Sequence, residues 1–346
     1  MKRIIHPATL TSPSDVKTLS NLGSCPVSKL SLINSAKEKL FKDVKLNCKS
    51  QALTTVDIGP GGVGVGHKEF TEDGKQAYAQ ALAYLITKEE VYACNCMNIL
   101  NDWATKCTVF KGANAPLEAA WGTASMSRAC ELVKYTVPNW AKYKAMEDCY
   151  VNWVRKMLMP HLLGLTEKYK LKWGFYNNWH TSIIEARLQF ALLTDDLESA
   201  NVCIEEYKKI LASYVKDDGF TGETLRDSDH CCFGLAGLVQ ICELAFHQGV
   251  DLYSLRNNVL HKCIEFHAEL YGTKKVPKDL ASKFNISQFK ICNWVQPSAW
   301  EIARKHYCGR KSYTMRNTDA LLQGIRPAGY ALHWGYCTLT HACTTP

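Results

Sequence analysis

Residues 178–214 read NWHTSIIEARLQFALLTDDLESANVCIEEYKKILASY. From Asn178 to Thr194, Ser182, Ile183, Ala186 and Leu188 define one buried helical face, and helical spacing returns from Leu197 to Tyr214. Only the polar step Thr194-Asp195-Asp196 parts the two runs. A connection that short makes them an antiparallel helical hairpin. A second polar turn, Lys216-Asp217-Asp218-Gly219, then reverses the chain again.

The same grammar extends in both directions. Residues 29–44 carry Leu30, Leu32, Ile33, Ala36, Leu40 and Val44 at helical spacing. Thr71 and Asp73 are candidate caps for a helix with Tyr78, Ala81, Leu82 and Leu85, and Glu89 to Trp103 continues with Tyr92, Cys96 and Ile99. Pro116 suits the first turn of the next helix. Further helical runs cover about 144–169, 230–247 and 252–271, while alternating strand patterns are scarce. Eight or more helices with short connections predict an all-α protein, either an α-solenoid or an (α/α) toroid, an incomplete barrel of antiparallel helical hairpins. The lack of a fixed-period repeat counts against the solenoid. One domain is expected over 1–346, with 1–27 an irregular lead-in containing Pro7, Pro13 and Pro26. Within 57–70, the run Gly59-Pro60-Gly61-Gly62-Val63-Gly64-Val65-Gly66 lacks a clear preceding strand and a Lys-Ser/Thr ending. It reads as a lid-like loop rather than a phosphate loop. Residues 272–296 read as a long surface loop, and 325–346 as a turn-rich tail closing the cleft.

Composition narrows the function classes. With 346 residues, 47% hydrophobic and 21% charged, the chain is neither disordered nor fibrous and can bury a full core. A net charge of +8 suits an anionic partner. No Lys/Arg block or RNA-binding signature points to nucleic acid. No uninterrupted apolar run of about 18 residues predicts a membrane span. The basic start Met1 to Pro7 is followed by no apolar stretch, so no secretory signal is expected in this sequence, and the compartment and oligomeric state stay open. The 16 cysteines are scattered, and Cys130, Cys203, Cys242 and Cys263 read as small buried hydrophobes. Cys94-Asn95-Cys96 and Cys231-Cys232 lack zinc-site spacing, and Cys337, His341 and Cys343 are a weak metal signal. Neither a metal site nor a disulfide framework is expected.

Four polar-to-helix junctions hold the chemistry-bearing residues. Asn177-Asn178-Trp179-His180 opens a helix, where asparagine caps and anions are both favoured. In Gly219 to His230, Arg226 can fork a carboxylate and His230 can move a proton near neutral pH; a surface salt bridge among Arg226, Asp227 and Asp229 is the plainer alternative. Asn114 to Trp121 repeats the junction, and Arg326-Pro327 with His333-Trp334-Gly335 is the weakest. Glu118, Glu185 and Glu223 are available to a glycoside hydrolase, but no spacing singles out a pair.

Taken in order, these patches resemble the alginate lyase family of polysaccharide lyases. The resemblance runs from His6-Pro7 through the glycine run, Asp73 to Ala83, Ile99-Leu100-Asn101-Asp102-Trp103, Asn114 to Trp121, Asn178-Trp179 and Glu223-x-x-Arg226-Asp227-x-x-His230. It closes with Gln248 to Tyr253, Glu265-Phe266 and Arg326-Pro327. It implies an α/α toroid and β-elimination on an anionic uronate polysaccharide, alginate (polymannuronate) or glucuronan, with no metal or organic cofactor inherently required. It further implies that Asn178 and Arg226 neutralise the sugar carboxylate and that His230 transfers protons, with His180 also catalytic. Gly61, Gly62, Asn114, Trp121, Trp179, Arg326 and His333 are the implied substrate-binding set. Two positions depart from the family. Trp179 follows Asn178 where the better-known members have histidine, His180 coming one place later. Cys231-Cys232-Phe233 occupies the stretch that supplies a tyrosine. The acid/base role then passes to His230 or to a tyrosine such as Tyr330 or Tyr336. A member that binds polysaccharide without cutting it, and a toroid glycoside hydrolase, are the alternatives.

Overall fold

A computed structural model describes residues 1–22, 27–164 and 174–342. The expectations for Pro26, for residues 165–169 and for Cys343 fall outside that set. Two departures precede the helical array. The lead-in is not irregular throughout: Pro13–Ser20 forms α1, opened by a capping box in which Ser12 and Asp15 exchange side-chain and backbone hydrogen bonds. After α2 (Val27–Asp43), the glycine run belongs to a small sheet rather than to a lid-like loop over 57–70. Here β1 (Thr55–Ile58) pairs antiparallel with β2 (Gly64–Val65), in register Asp57 to Val65. A strand does precede the glycines, but four residues with only Val56 and Ile58 buried make a pattern too short to separate from a loop.

The helical array starts immediately after Gly66. α3 (His67–Thr87) and α4 (Glu90–Lys106) form the first hairpin, and β3 (Val109–Lys111) then joins β1 in parallel. Neither Thr71 nor Asp73 caps α3. Asp73 is buried inside the helix and accepts from Trp103 Nε1 at 2.8 Å and from the Gln51 amide at 2.7 Å. α5 (Ala115–Lys134) carries proline in its first turn, and α6 (Lys144–Trp153) passes through a π-turn into α7 (Met159–Leu163). α8 (Asn178–Leu193) and α9 (Leu197–Tyr214) are the expected hairpin. α10 (Ser228–His247) and α11 (Leu255–Thr273) follow. Instead of running as loop from 272 to 296, the chain inserts α12 (Lys278–Phe284). α13 (Trp300–Arg304), α14 (Arg316–Ile325) and α15 (Cys337–His341) complete it, so the tail is part helix.

Helices α3, α5, α8 and α10 pack side by side as an inner layer, backed by α4 and α9. α13 and α15 join α10 round to α2 and α3, giving an all-α, incomplete (α/α) toroid. The inner helices are buried on nearly every face, which is why α10 is long and apolar enough to cross a membrane by length and composition while 83% of that stretch is buried in the fold. Close crossing of α3 and α5 depends on Gly122, where a Cβ would stand 2.2 Å from the Phe70 ring. One outer helix separates each inner helix from the next, so the inner four run parallel. Their N-termini open at one end of the toroid, at His67, Ala115, Asn178 and Ser228. Four such termini bring positive dipole ends to that end, a setting that favours anions.

Candidate active site

Asn177 caps α8 by accepting from the Trp179 amide at 3.1 Å, which leaves Asn178 as the first helical residue, fully buried. The Asn178 amide N–H donates to Glu223 Oε1 at 2.8 Å, and Glu223 Oε2 accepts from Arg226 at 3.3 Å. Glu223 is itself fully buried; burial raises its pKa against the pull of Arg226. This one carboxylate therefore joins two motifs distant in the chain. Both polar atoms of the Asn178 side chain are buried without a hydrogen-bond partner, a costly state in an ordinary core.

Asp227 caps α10, accepting from the His230 amide at 2.9 Å, and its carboxylate also lies 2.8 Å from His230 Nδ1. Burial works to raise the Asp227 pKa, but the His230 contacts and Arg226 hold it below the usual value. The opposite ring nitrogen, His230 Nε2, is 2.7 Å from an Arg226 Nη. Guanidinium can only donate, so Nε2 accepts and Nδ1 carries the hydrogen that Asp227 receives. About a third of each of the Arg226 and His230 side chains faces solvent. The group combines a forked cation with an imidazole whose proton-free nitrogen that cation covers.

Phe233 lies one turn further along α10, its ring 5.8 Å from His230, 5.3 Å from Trp121 and 5.5 Å from Trp294. The segment carrying Trp294 is pinned over the mouth of α10 by Ser228 to Lys290 O, by Cys292 to Ser228 Oγ and by Trp294 to Asp229 Oδ2. Trp121 donates to Ser182 at 3.2 Å and stacks on His333. Trp121 and His333 line a narrow hollow with Thr71, Glu118 and Tyr330. Beside it a groove of about 310 Å³ runs between Lys75, Tyr330 and Trp294.

Other expected site residues are placed elsewhere or already engaged. His180 Nδ1 sits 2.9 Å from Asn177 Oδ1, and the ring lines a groove with Leu162, Ile183 and Ile210, away from Arg226. Trp179 is half-buried beside the apolar core of α8–α11. Asn114 ends the loop from β3, its amide donating to Ile58 O. Gly61 and Gly62 form the β1–β2 turn with positive φ. Arg326 is spent on a two-pronged bond to Glu301, 2.6 Å on each arm. His333 is buried, its Nδ1 accepting from Gln240 at 3.0 Å, and burial lowers its pKa. Tyr336 donates to Asp43 at 3.0 Å, whereas Tyr330 stands in the groove near Ser125, its pKa pushed by burial to about 12. Of the carboxylates open to a hydrolase, Glu185 is buried and locked to Arg128 at 2.6 Å. Among the described residues no group of three or more His, Cys, Asp or Glu is placed to hold a metal ion. Cys337 and His341 bond to Trp334 O and Leu10 O respectively.

One residue pair escaped the sequence reading. His67, the first residue of α3, has Nδ1 3.1 Å from Glu118 Oε1. The N–H lies off the line of that contact, so the attraction is ionic more than a straight hydrogen bond. Glu118 outweighs partial burial and raises the His67 pKa. The available signal was His67-x-x-x-Thr71-x-x-x-Lys75, one helical stripe directly after the glycines.

The family model for alginate lyase matches residues 65–276, most of the chain, with Asn178, Arg226 and His230 inside the match. The chain belongs to the alginate lyase family. It is a polysaccharide lyase by class. No curated protein matches it by sequence. Alginate lyase A1-III from Sphingomonas species A1 superposes with a TM-score of 0.70 at 16% identity, covering 99% of this chain and 100% of that one. A variant of that enzyme complexed with a tetrasaccharide gives 0.72 at 15% identity, covering 100% and 98%. An alginate lyase from Bacteroides ovatus gives 0.64 at 14%, covering 97% and 99%. At such identities these superpositions speak for the toroid fold alone.

Proposed function

We propose that the protein cleaves a uronate polysaccharide, polymannuronate or glucuronan, by β-elimination at Asn178, Arg226 and His230. The observation that carries this reading is the Asp227–His230–Arg226 chain beside the unpartnered, buried amide of Asn178. A uronate carboxylate entering here satisfies that amide and draws the guanidinium of Arg226 onto itself. Neutralising the C6 carboxylate makes the C5 proton removable. The same move uncovers His230 Nε2, so substrate binding itself exposes the base. His230 Nε2 takes the C5 proton, and the C5–H electrons form the C4=C5 double bond. The C4–O4 bond breaks and O4 takes a proton. Asp227 steadies the imidazolium in between.

Phe233 has no proton to give, so His230 serves both ends, accepting from C5 and returning the proton to O4. A single carrier works on one face of the ring. In mannuronate and glucuronate the C5 hydrogen and O4 share a face; in guluronate they oppose. The expected substrates are therefore polymannuronate or glucuronan. The test is ultraviolet absorbance of the purified protein with polymannuronate, polyguluronate and glucuronan. A rise on either of the first two and a flat trace on polyguluronate supports the reading. A rise on polyguluronate alone contradicts the one-carrier mechanism. New reducing ends without absorbance contradict elimination. Polymer captured in a pull-down with no absorbance on any substrate assigns the protein to binding only, the outcome to which Phe233 would then be the key.

A further inference from the structure

Helix α5 carries a buried glutamate paired with a histidine near each end. At its C-terminal end Glu131 Oε1 is 2.5 Å from His6 Nδ1, and the other nitrogen of that ring, Nε2, is 2.9 Å from the Asp195 carboxylate. That imidazole thus bridges one buried and one exposed carboxylate. At the other end Glu118, buried in the first turn, faces His67 Nδ1 at 3.1 Å in an ionic contact. There the second nitrogen bonds to no described residue. Beside it lies the β1–β2 turn, where Gly62 has φ +74° and a Cβ would stand 3.3 Å from Nε2. Glycine keeps that edge of the ring open.

The pair stands at the N-terminal ends of α3 and α5. Glu118 lines the hollow with Thr71 and Trp121, and Trp121 reaches Phe233 and thence His230 through ring contacts of 5.3 and 5.8 Å. His67, the first residue of α3, and Arg226, just before the cap of α10, therefore both stand at the end of the toroid where the inner helices begin. A uronate polymer carries a carboxylate on every ring, and Arg226 with Asn178 can hold only one of them.

We propose that His67 is a second carboxylate-binding residue, taking a uronate one or more rings away from the one held at Arg226, as His6 takes Asp195. This rests on the lyase reading. Glu118 keeps the imidazole charged, and its Nε2–H donates to the sugar carboxylate. The charged groups around the ring are Glu118 from α5 and Lys68 and Glu69 on its own helix; the turn over it contributes Gly62 and no charge. The interaction is made equally before and during the reaction, so it acts on KM rather than kcat.

The experiment is steady-state kinetics of wild type, His67→Gln, His67→Arg and Glu118→Gln against pH, on the polymer that wild type cleaves. His67→Gln should raise KM roughly ten-fold, the worth of one charge-assisted hydrogen bond, with kcat nearly unchanged. His67→Arg should restore KM and abolish its rise as pH climbs past the ordinary histidine value. Glu118→Gln should move that rise to lower pH. A fall in kcat at constant KM, or no change in either, overturns the proposal while leaving the lyase reading intact. If wild type releases no unsaturated product, the lyase reading fails separately. Calorimetric titration with a mannuronate oligomer then decides on His67: weaker binding by His67→Gln supports the proposal and equal binding overturns it.

Discussion

The two imidazole–glutamate pairs on α5 are chemically alike and differently finished. His6 is closed on every side: Glu131 and Asp195 take its two nitrogens, and its ring stacks on Tyr135 with centroids 4.2 Å apart. Glu131 also accepts from the Ala8 amide at 2.7 Å, and Gln189 and His247 bind the carbonyls of Ala8 and Thr9. The pair therefore bolts the N-terminal strap across the C-terminal ends of the inner helices. His67 has a buried glutamate of its own, Glu118, and a glycine turn beside its open edge. One pair is used up by the fold. The other keeps a charged N–H in reserve. What stands at the second nitrogen, not the pair itself, separates a structural clasp from a binding group.

The largest predicted effect belongs to neither pair and sets the scale for both. Arg226→Ala should lower kcat/KM by about 10²–10³-fold, as when one charge-stabilising donor is lost from an active site, with the unfolding midpoint kept. Next, His6→Ala should cost about 3 kcal/mol in urea unfolding, because it strands a buried carboxylate, while KM stays as in wild type. A change in KM there would erase the distinction between the two pairs.

The pH dependences should also part. Both histidines are raised above their ordinary value, His6 because its two carboxylates outweigh the lowering effect of burial, His67 because of Glu118. A raised folded-state pKa means that the stabilisation is fully present below the ordinary histidine value and is lost as pH climbs through the raised one. For His6 this should appear as stability that falls as pH climbs past the ordinary histidine value, a fall absent in His6→Ala. For His67 it should appear as a KM that rises as pH climbs past the ordinary histidine value. The smallest effect is that of Gly62→Ala. Positive φ there costs a residue with a Cβ about 1 kcal/mol, and the added methyl crowds His67 Nε2, so KM should rise with it. An unchanged KM would mean that the turn does not control access to the ring.

What could be read from the sequence followed what is local in it. The helical hairpins were legible because the apolar faces of the inner helices repeat within a turn or two, as in Ile183, Ala186 and Leu188. Glu223-x-x-Arg226-Asp227-x-x-His230 was legible because a helix mouth brings such spacing together without help from the rest of the fold. Asn178 came from the same kind of junction. The contacts that were not legible are tertiary. His67 meets Glu118 only because Gly122 lets α3 lie against α5. Arg326 was expected to face substrate, yet nothing near it in the chain announces that Glu301 takes both its arms. β1 was hidden by its four-residue length, and α1 by a lead-in whose three prolines read as irregular although one of them, Pro13, suits a helix start.

The central claim is elimination at the carboxylate site, and the masses of the fragments test it most directly. An oligomannuronate or oligoglucuronate of defined length would be digested and its fragments weighed by mass spectrometry. Elimination adds no atoms, so the two fragments of each cut should sum to the mass of the starting oligomer, one of them bearing the double bond. Fragments that together exceed it by one water would mean hydrolysis, and would contradict the roles given to Asn178, Arg226 and His230.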